Sequence, residues 1–77
     1  MSELLEYLAR GLVDDPDSVR VEQSEDDDGS LVLHLSVAED DVGKVIGRQG
    51  RIARALRTVV RAAGAGEGRR VLLEIEG

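Results

Sequence analysis

The sequence predicts a single α+β domain in which three helices pack on one face of a small three-stranded mixed sheet. Three observations support this fold class. The chain has 77 residues, 42% of them are hydrophobic, and hydrophobic spacing changes between helical and strand periods in the order α-β-β-α-α-β. Because a chain of this length buries only a small core, residues 1–77 are expected to form one domain.

The first half of the chain predicts one helix and a β-hairpin. Leucines at three- and four-residue spacing favour a helix over residues 3–13, with Ser2 as its N-cap. Apolar and polar residues then alternate over residues 19–22 and 31–37, as in strands with one buried face. The Asp-Gly pair at residues 28–29 suits a hairpin turn, which requires a positive φ.

The second half predicts two helices and a final strand. A short helix over residues 42–46 follows three acidic residues, which favour a helix N-terminus. A longer helix is expected over residues 51–63, because the glycines within residues 64–68 should end it. The last strand, residues 70–76, is reached through a helical crossover and should therefore lie parallel to the second.

The longer helix is predicted to have an apolar arc and a basic arc. At about 100° per residue, the apolar arc contains Ile52, Leu56, Val59 and Ala63. The opposite arc contains Arg54, Arg57 and Arg61. Arginine binds phosphate in a forked geometry and is always charged, so the basic arc is either a solvated face or an anion-binding surface.

Charge is distributed unevenly along the chain. The formal net charge is −6, yet residues 42–66 contain six bases and no acid, whereas residues 1–41 carry a net charge of −11. A local basic segment of this kind can attract an anionic ligand in spite of the overall sign. A polyanionic partner is therefore compatible with the composition.

Several classes of protein are excluded by composition. The chain has no cysteine and one histidine, so disulfides, thiolate chemistry and a structural zinc site are not expected. Neither a membrane span nor a signal peptide is recognisable, which predicts a cytoplasmic location without membrane attachment. No catalytic constellation, cofactor motif or small-molecule substrate site is indicated, and we expect a protein that is not an enzyme.

The most informative segment is Gly47-Arg48-Gln49-Gly50, which joins the two helices. Two glycines three residues apart permit a tight turn with close backbone approach. The turn leads into a helix N-terminus, where free amides and the helix dipole favour a phosphate oxygen. Positive charge is contributed by Arg48 itself and by the flanking Lys44, Arg51 and Arg54. These residues predict a clamp for a sugar–phosphate backbone.

The element order and this loop resemble a type II KH domain, and nearly the whole chain resembles the KhpA family of small bacterial proteins with a single KH domain. The resemblance is carried by residues 3–8 (ELLEYL), 12–17 (LVDDPD), 43–51 (GKVIGRQGR) and 70–75 (RVLLEI). It implies binding of single-stranded RNA, RNA chaperone activity, and a larger KhpB/Jag-like partner. It also implies a link to cell shape and cell wall synthesis.

Two further expectations concern apolar residues. Val42 and Ile46 are candidates to line a groove for bases, because the single aromatic residue, Tyr7, is remote from the loop in sequence. The alternative function is a KH-fold interaction module that forms homodimers or heterodimers and has little affinity for nucleic acid. Its candidate patch consists of Val60, Val32 and Leu72, which are predicted to lie at the margin of the core or outside it.

Overall fold

The computed structural model describes residues 1–76 and confirms the α+β architecture. Its elements are α1 (Ser2–Arg10), β1 (Arg20–Glu25), β2 (Leu31–Ser36), α2 (Val42–Ile46), α3 (Arg51–Gly66) and β3 (Val71–Glu76). The strand order in the sheet is β1-β2-β3, with β2 antiparallel to β1 and parallel to β3. This is the arrangement that the type II KH resemblance implies.

All three helices cover the same face of the sheet. Leu31 and Leu33 of β2 lie opposite Val71 and Leu73 of β3 in the parallel register, so the four side chains share one face. They belong to a single buried cluster together with residues from each helix: Leu5 and Ala9 of α1, Val45 of α2, and Leu56 and Val60 of α3. The domain therefore has two layers and one core, and its other sheet face is uncovered by helices.

The N-terminal half follows the prediction, except that β1 extends over Arg20–Glu25 rather than residues 19–22 and that both ends of the first helix differ. The first helix ends at Arg10 rather than at residue 13, and Gly11 is its C-cap. Ser2 is not the N-cap; it is the first helical residue, and its hydroxyl contacts the Gln23 side chain instead. The hairpin turn is confirmed, because Gly29 has a φ of +85° and the Asp26 amide donates to the Ser30 carbonyl at 2.9 Å.

The principal difference from the prediction lies in α3. The helix continues to Gly66, through the glycines that were expected to end it. Its buried stripe consists of Ala53, Leu56, Val60 and Gly64, so the helix is rotated relative to the predicted arc. The small residues Ala53 and Gly64 in that stripe let α3 lie close to the sheet. The hydrophobicity pattern instead placed the larger Val59 in the apolar arc, but its side chain is 39% exposed.

Candidate functional site

The backbone of the loop between α2 and α3 is mostly left-handed. Gly47 has φ +77° and ψ +171°, a region that only glycine occupies readily. Gln49 has φ +58° and Gly50 has φ +73°. A β-carbon built on Gly47 would lie 2.6 Å from Cγ1 of Ile52, so the first loop glycine is also fixed by its contact with α3. Sequence reasoning did not identify this role of Ile52, because only the folded loop brings the two residues together.

The loop ends at the N-terminus of the longest helix in the described chain. Gly50 is the N-cap of α3, no side chain caps this end, and the first turn of α3 contains no acidic residue. The helix dipole places partial positive charge here, and a helix of 16 residues carries nearly its full effect. The end of α3 is thus electrostatically suited to an anion.

Three arginines surround the loop without carboxylate partners. Arg48, Arg51 and Arg54 are exposed, and no ion pair within 4.0 Å involves them in the described part of the chain. Arg54 donates from Nη2 to the Gln49 carbonyl oxygen at 3.0 Å. Arg51 donates a longer bond, 3.4 Å, to the Gln49 side-chain oxygen. The positive charge at the loop is therefore not neutralised by the protein itself.

Lys44, the fourth predicted cation, is paired with acids instead. Its Nζ lies 3.0 Å from Asp14 Oδ2 and 3.5 Å from Asp41 Oδ1. Asp41 is buried and accepts hydrogen bonds from the amides of Asp14 and Asp15 at 3.2 and 3.0 Å. This cluster connects α2 to the segment before β1. The spacing of three residues between Asp41 and Lys44 suits a helix ion pair, but the sequence gives no indication of Asp14, which is distant along the chain.

The cluster alters two pKa values. The hydrogen bond to Asp14 and the negative charge of that residue raise the pKa of Lys44 above its ordinary value. Burial acts to raise the pKa of Asp41, but the two amide hydrogen bonds and the Lys44 charge outweigh it, and the net pKa of Asp41 is lowered. Both groups are therefore held in their charged forms, which strengthens the connection.

The two candidate groove residues differ in their surroundings. Val42 is partly buried and packs against the core cluster. Ile46 is also partly buried but does not join that cluster, and it immediately precedes the loop. Of the two, Ile46 is the better placed to present apolar surface beside Gly47.

The predicted self-association patch requires a correction. Val60 is completely buried, because it belongs to the buried stripe of α3 and not to the margin of that stripe. Its side chain is therefore not available to a partner. Val32 and Leu72 lie opposite each other in the register of β2 and β3, and Val32 is outside the core cluster. Val32 is nevertheless only 6% exposed, so little apolar surface is offered there.

A cleft between α3 and the edge strand β3 was not predicted. It has a volume of about 340 Å³ and is lined by Arg57 and Arg61 of α3, by Arg70, and by residues 71–73. Arg57 and Arg61 have no ion pair within 4.0 Å in residues 1–76. The rotation of α3 turns these two arginines towards β3, which a pattern of charges alone does not reveal. The basic surface thus continues from the loop along the helix.

No helix within residues 1–76 combines the length and the apolarity that a membrane span requires.

Solved structures of a larger protein contain a region with the same fold. Two crystal structures of Era, one of them Aquifex aeolicus Era Y63A bound to GDP.AlF4⁻, match 96% of this chain with a TM-score of 0.62 and 25% sequence identity. The match covers 28% of each Era chain. The second structure is a complex of Era with MgGDPNP and nucleotides 1506–1542 of 16S ribosomal RNA.

Sequence comparisons give a more specific result. The RNA-binding protein KhpA of Halalkalibacterium halodurans is 59% identical over 76 residues, with 97% of each chain covered. The RNA-binding protein KhpA of Clostridium acetobutylicum is 52% identical over 75 residues, with 97% of this chain and 99% of the relative covered. The model of the KhpA/KhpB KH domain matches residues 2–75. With 97% of its length aligned to these relatives and its fold in agreement, the chain belongs to the KhpA/KhpB KH-domain family.

Proposed function

We propose that this protein binds single-stranded RNA and holds the sugar–phosphate backbone at residues 47–50. The observation that carries the proposal is the uncapped N-terminus of α3, which is surrounded by three arginines without carboxylate partners. A phosphate oxygen placed there would complement both the helix dipole and the guanidinium groups of Arg48 and Arg51, whereas Arg54 is hydrogen-bonded to the Gln49 carbonyl. The names of the curated KhpA relatives support the same function.

The cleft beside α3 supports a path for the strand beyond the loop. Arg57 and Arg61 would meet further phosphates or base edges, and the strand would lie beside the edge of β3 at residues 71–73. Tyr7, the only aromatic residue, lies on α1 and cannot provide a stacking platform at the loop. Because base stacking on aromatic rings is absent there, one domain is expected to bind RNA with modest affinity and limited sequence preference.

Fluorescence anisotropy with a short single-stranded RNA tests the proposal. The double variant Arg48→Asp with Gln49→Asp reverses the charge of the loop tip, where both side chains are exposed, and should abolish binding. The native protein should lose affinity as salt increases, with a log–log slope of about −0.7 for each phosphate contacted. A native slope near zero, or equal binding by the double variant, would contradict a backbone clamp at this loop.

A matched control carries the same two kinds of substitution away from the loop, at Gln23 in β1 and at Arg69 between α3 and β3. Both residues are exposed and line one shallow depression near the end of β1, so Gln23→Asp with Arg69→Asp gives the same change in net charge, at the expense of the exposed contacts of Gln23 with Ser2 and of Arg69 with Glu25. This control should retain most of the binding. If it loses as much affinity as the loop variant, overall charge rather than the loop determines binding. Circular dichroism establishes that all three proteins are folded.

Membership of the family supports further parts of the proposal. These are a cytoplasmic location, RNA chaperone activity, a role without enzymatic chemistry, and joint action with a KhpB/Jag-like protein in control linked to cell shape and wall synthesis. The partner is testable by mixing the two purified proteins and measuring sedimentation with and without RNA. A single sedimenting species that contains both proteins is expected. Independent sedimentation at tens of micromolar would contradict direct association.

The rival function, a KH-fold module for association with a protein, loses its principal residue. Val60 motivated it, and that side chain is fully buried. A homodimer therefore needs another surface, and sedimentation of the native protein alone tests for one.

A further inference from the structure

Gln49 adopts a backbone conformation that a glutamine does not favour. It is the only non-glycine residue with a positive φ in the described chain, at φ +58° and ψ +24°. The side chain makes this left-handed region less favourable than the right-handed one, whereas its neighbour Gly50 enters the same region without that penalty. Some interaction outside the residue must therefore favour the observed conformation.

Arg54 supplies an interaction that depends on this conformation. Its Nη2 donates to the Gln49 carbonyl oxygen at 3.0 Å. Gly50 is the N-cap of α3, so the Gln49 carbonyl precedes the helix and takes no part in its hydrogen-bond ladder. A rotation of the Gln49 backbone into the right-handed region would turn this carbonyl away from α3. The hydrogen bond therefore selects between the two backbone states, which is the condition for shifting their populations.

The location of the Arg54 guanidinium group is consistent with a hydrogen bond that holds it there. A cation near a helix N-terminus is disfavoured by the helix dipole. No carboxylate within 4.0 Å attracts Arg54 in residues 1–76. The Gln49 carbonyl is the partner that the structure gives it, and the bond is charge-assisted.

We propose that Arg54 is a positioning residue for the loop. By its hydrogen bond to the Gln49 carbonyl it holds Gln49 in the left-handed conformation, so that residues 47–50 have their binding geometry before RNA arrives. The consequence of this positioning for RNA binding rests on the proposed function, but the effect of Arg54 on the Gln49 backbone can be measured without RNA. It differs from the simpler interpretation in which Arg54 contacts a phosphate directly.

The first experiment measures the loop in the free protein. The three-bond coupling between the amide and α-protons of Gln49 reports φ, and amide hydrogen exchange at residues 49–51 reports local order. Arg54→Ala should change the coupling and speed exchange, whereas Arg69→Ala, which removes an exposed arginine that pairs with Glu25 after the end of α3, should change neither. If the coupling and the amide exchange are both the same in Arg54→Ala and the native protein, Arg54 does not position Gln49.

The second experiment is a double-mutant cycle on RNA affinity. If Arg54→Ala leaves only about a fifth to a tenth of the molecules with a loop that is competent to bind, the Kd should rise about five- to tenfold. In a Gln49→Gly background the same change should cost less than about twofold, because glycine enters the left-handed region without help. The dependence of affinity on salt should be equal with and without Arg54. Rescue by Gln49→Gly would not be seen if Arg54 contributed only to general stability.

The remaining outcomes separate the two proposals. An equal loss of affinity in both backgrounds, with a salt slope smaller by about 0.7, would make Arg54 a phosphate contact and would overturn the positioning role. If the native protein does not bind RNA, the proposed function fails, and the coupling and exchange measurements on the free protein still decide whether Arg54 sets the conformation of Gln49.

Discussion

The α-carbon of Gly64 faces Val71 at a distance that leaves no space for a side chain. A β-carbon at Gly64 would lie 2.4 Å from Cγ2 of Val71 and 2.7 Å from the Arg69 carbonyl oxygen. Gly64 therefore permits close packing between the last turn of α3 and the start of β3. Through this contact the C-terminal end of α3 packs against the edge strand of the sheet.

Gly64→Ala should consequently destabilise the protein. Overpacking of this kind costs about 1 to 3 kcal/mol, and here one of the obstructing atoms belongs to the backbone and cannot rotate away. Gly66→Ala is the matched control, because it lies in the same helix and its β-carbon would meet nothing within 4 Å. That change should stabilise the protein by about 0.4 to 1 kcal/mol. Urea denaturation measures both, and equal midpoints for the two variants would contradict the packing argument.

Gly47→Ala should distort the loop. The new β-carbon would lie 2.6 Å from Ile52 Cγ1 and 2.9 Å from the Ile52 amide nitrogen, in a backbone region that other residues avoid. Strain of this type costs about 1 to 3 kcal/mol. Gly43→Ala, in α2 with an open β-carbon position, should leave RNA affinity close to native and, like Gly66→Ala, stabilise the protein by about 0.4 to 1 kcal/mol. Thermal melting and anisotropy distinguish the two variants, and normal RNA binding by Gly47→Ala would show that the loop tolerates a different backbone.

Asp41 should contribute to the loss of stability in acid. Its folded-state pKa lies below the unfolded value of about 3.9, so its stabilising effect is complete above that value and is lost as the pH falls through the lowered pKa. Asp41→Asn should flatten the dependence of unfolding free energy on pH between about pH 5 and pH 1. Urea denaturation across this range is the measurement.

Asp40→Asn is the control for that experiment. Asp40 is exposed, and its side chain takes part in no hydrogen bond or ion pair among those found in residues 1–76. It should preserve the native pH dependence. Some dependence should also remain in Asp41→Asn, because the Ser30 backbone amide lowers the pKa of Asp28 as well. An identical pH profile for the native protein and Asp41→Asn would remove Asp41 from this role.

Val60→Asp should unfold the domain. Val60 is completely buried, and an unpaired charge in the core belongs to the mutations that cost more than about 4 kcal/mol. The adjacent Val59 is 39% exposed, so Val59→Asp should change stability little. Circular dichroism at 25 °C tests the pair. A folded Val60→Asp variant would mean that the predicted arc, rather than the observed buried stripe, describes α3 in solution.

The errors of prediction for α3 have one physical cause. A single sequence gives hydrophobicity and local conformational preference, which predicted that the glycines would end the helix after Ala63. The observed helix includes Gly64 because a residue without a side chain lets the helix pack closely against β3. This packing depends on a strand that comes later in the chain. Small residues in a buried stripe are therefore difficult to predict from apolar patterns.

The site was easier to predict in its loop than in its surroundings. Gly47 and Gly50 have the positive φ values that their residue type suggests, so local sequence determined this part. The pairing of Lys44 with Asp14 and Asp41, and the hydrogen bond from Arg54 to the Gln49 carbonyl, depend on three-dimensional proximity. The spacing of three residues between Asp41 and Lys44 does distinguish Lys44 from the arginines of residues 48–61, which have no acid three or four residues away, but it does not indicate Asp14.

The separation of charge between the basic helix and the rest of the molecule has a consequence for the rate of encounter with RNA. The net charge is −6 and the longest dimension of the domain is 33 Å. At about 0.01 M salt the Debye length is about 30 Å, so an approaching polyanion senses the entire molecule and is repelled. At about 0.15 M it is about 8 Å, and a strand that approaches α3 senses mainly the arginines. Association should therefore be fastest at an intermediate ionic strength, where the repulsion is screened but the attraction persists at short range.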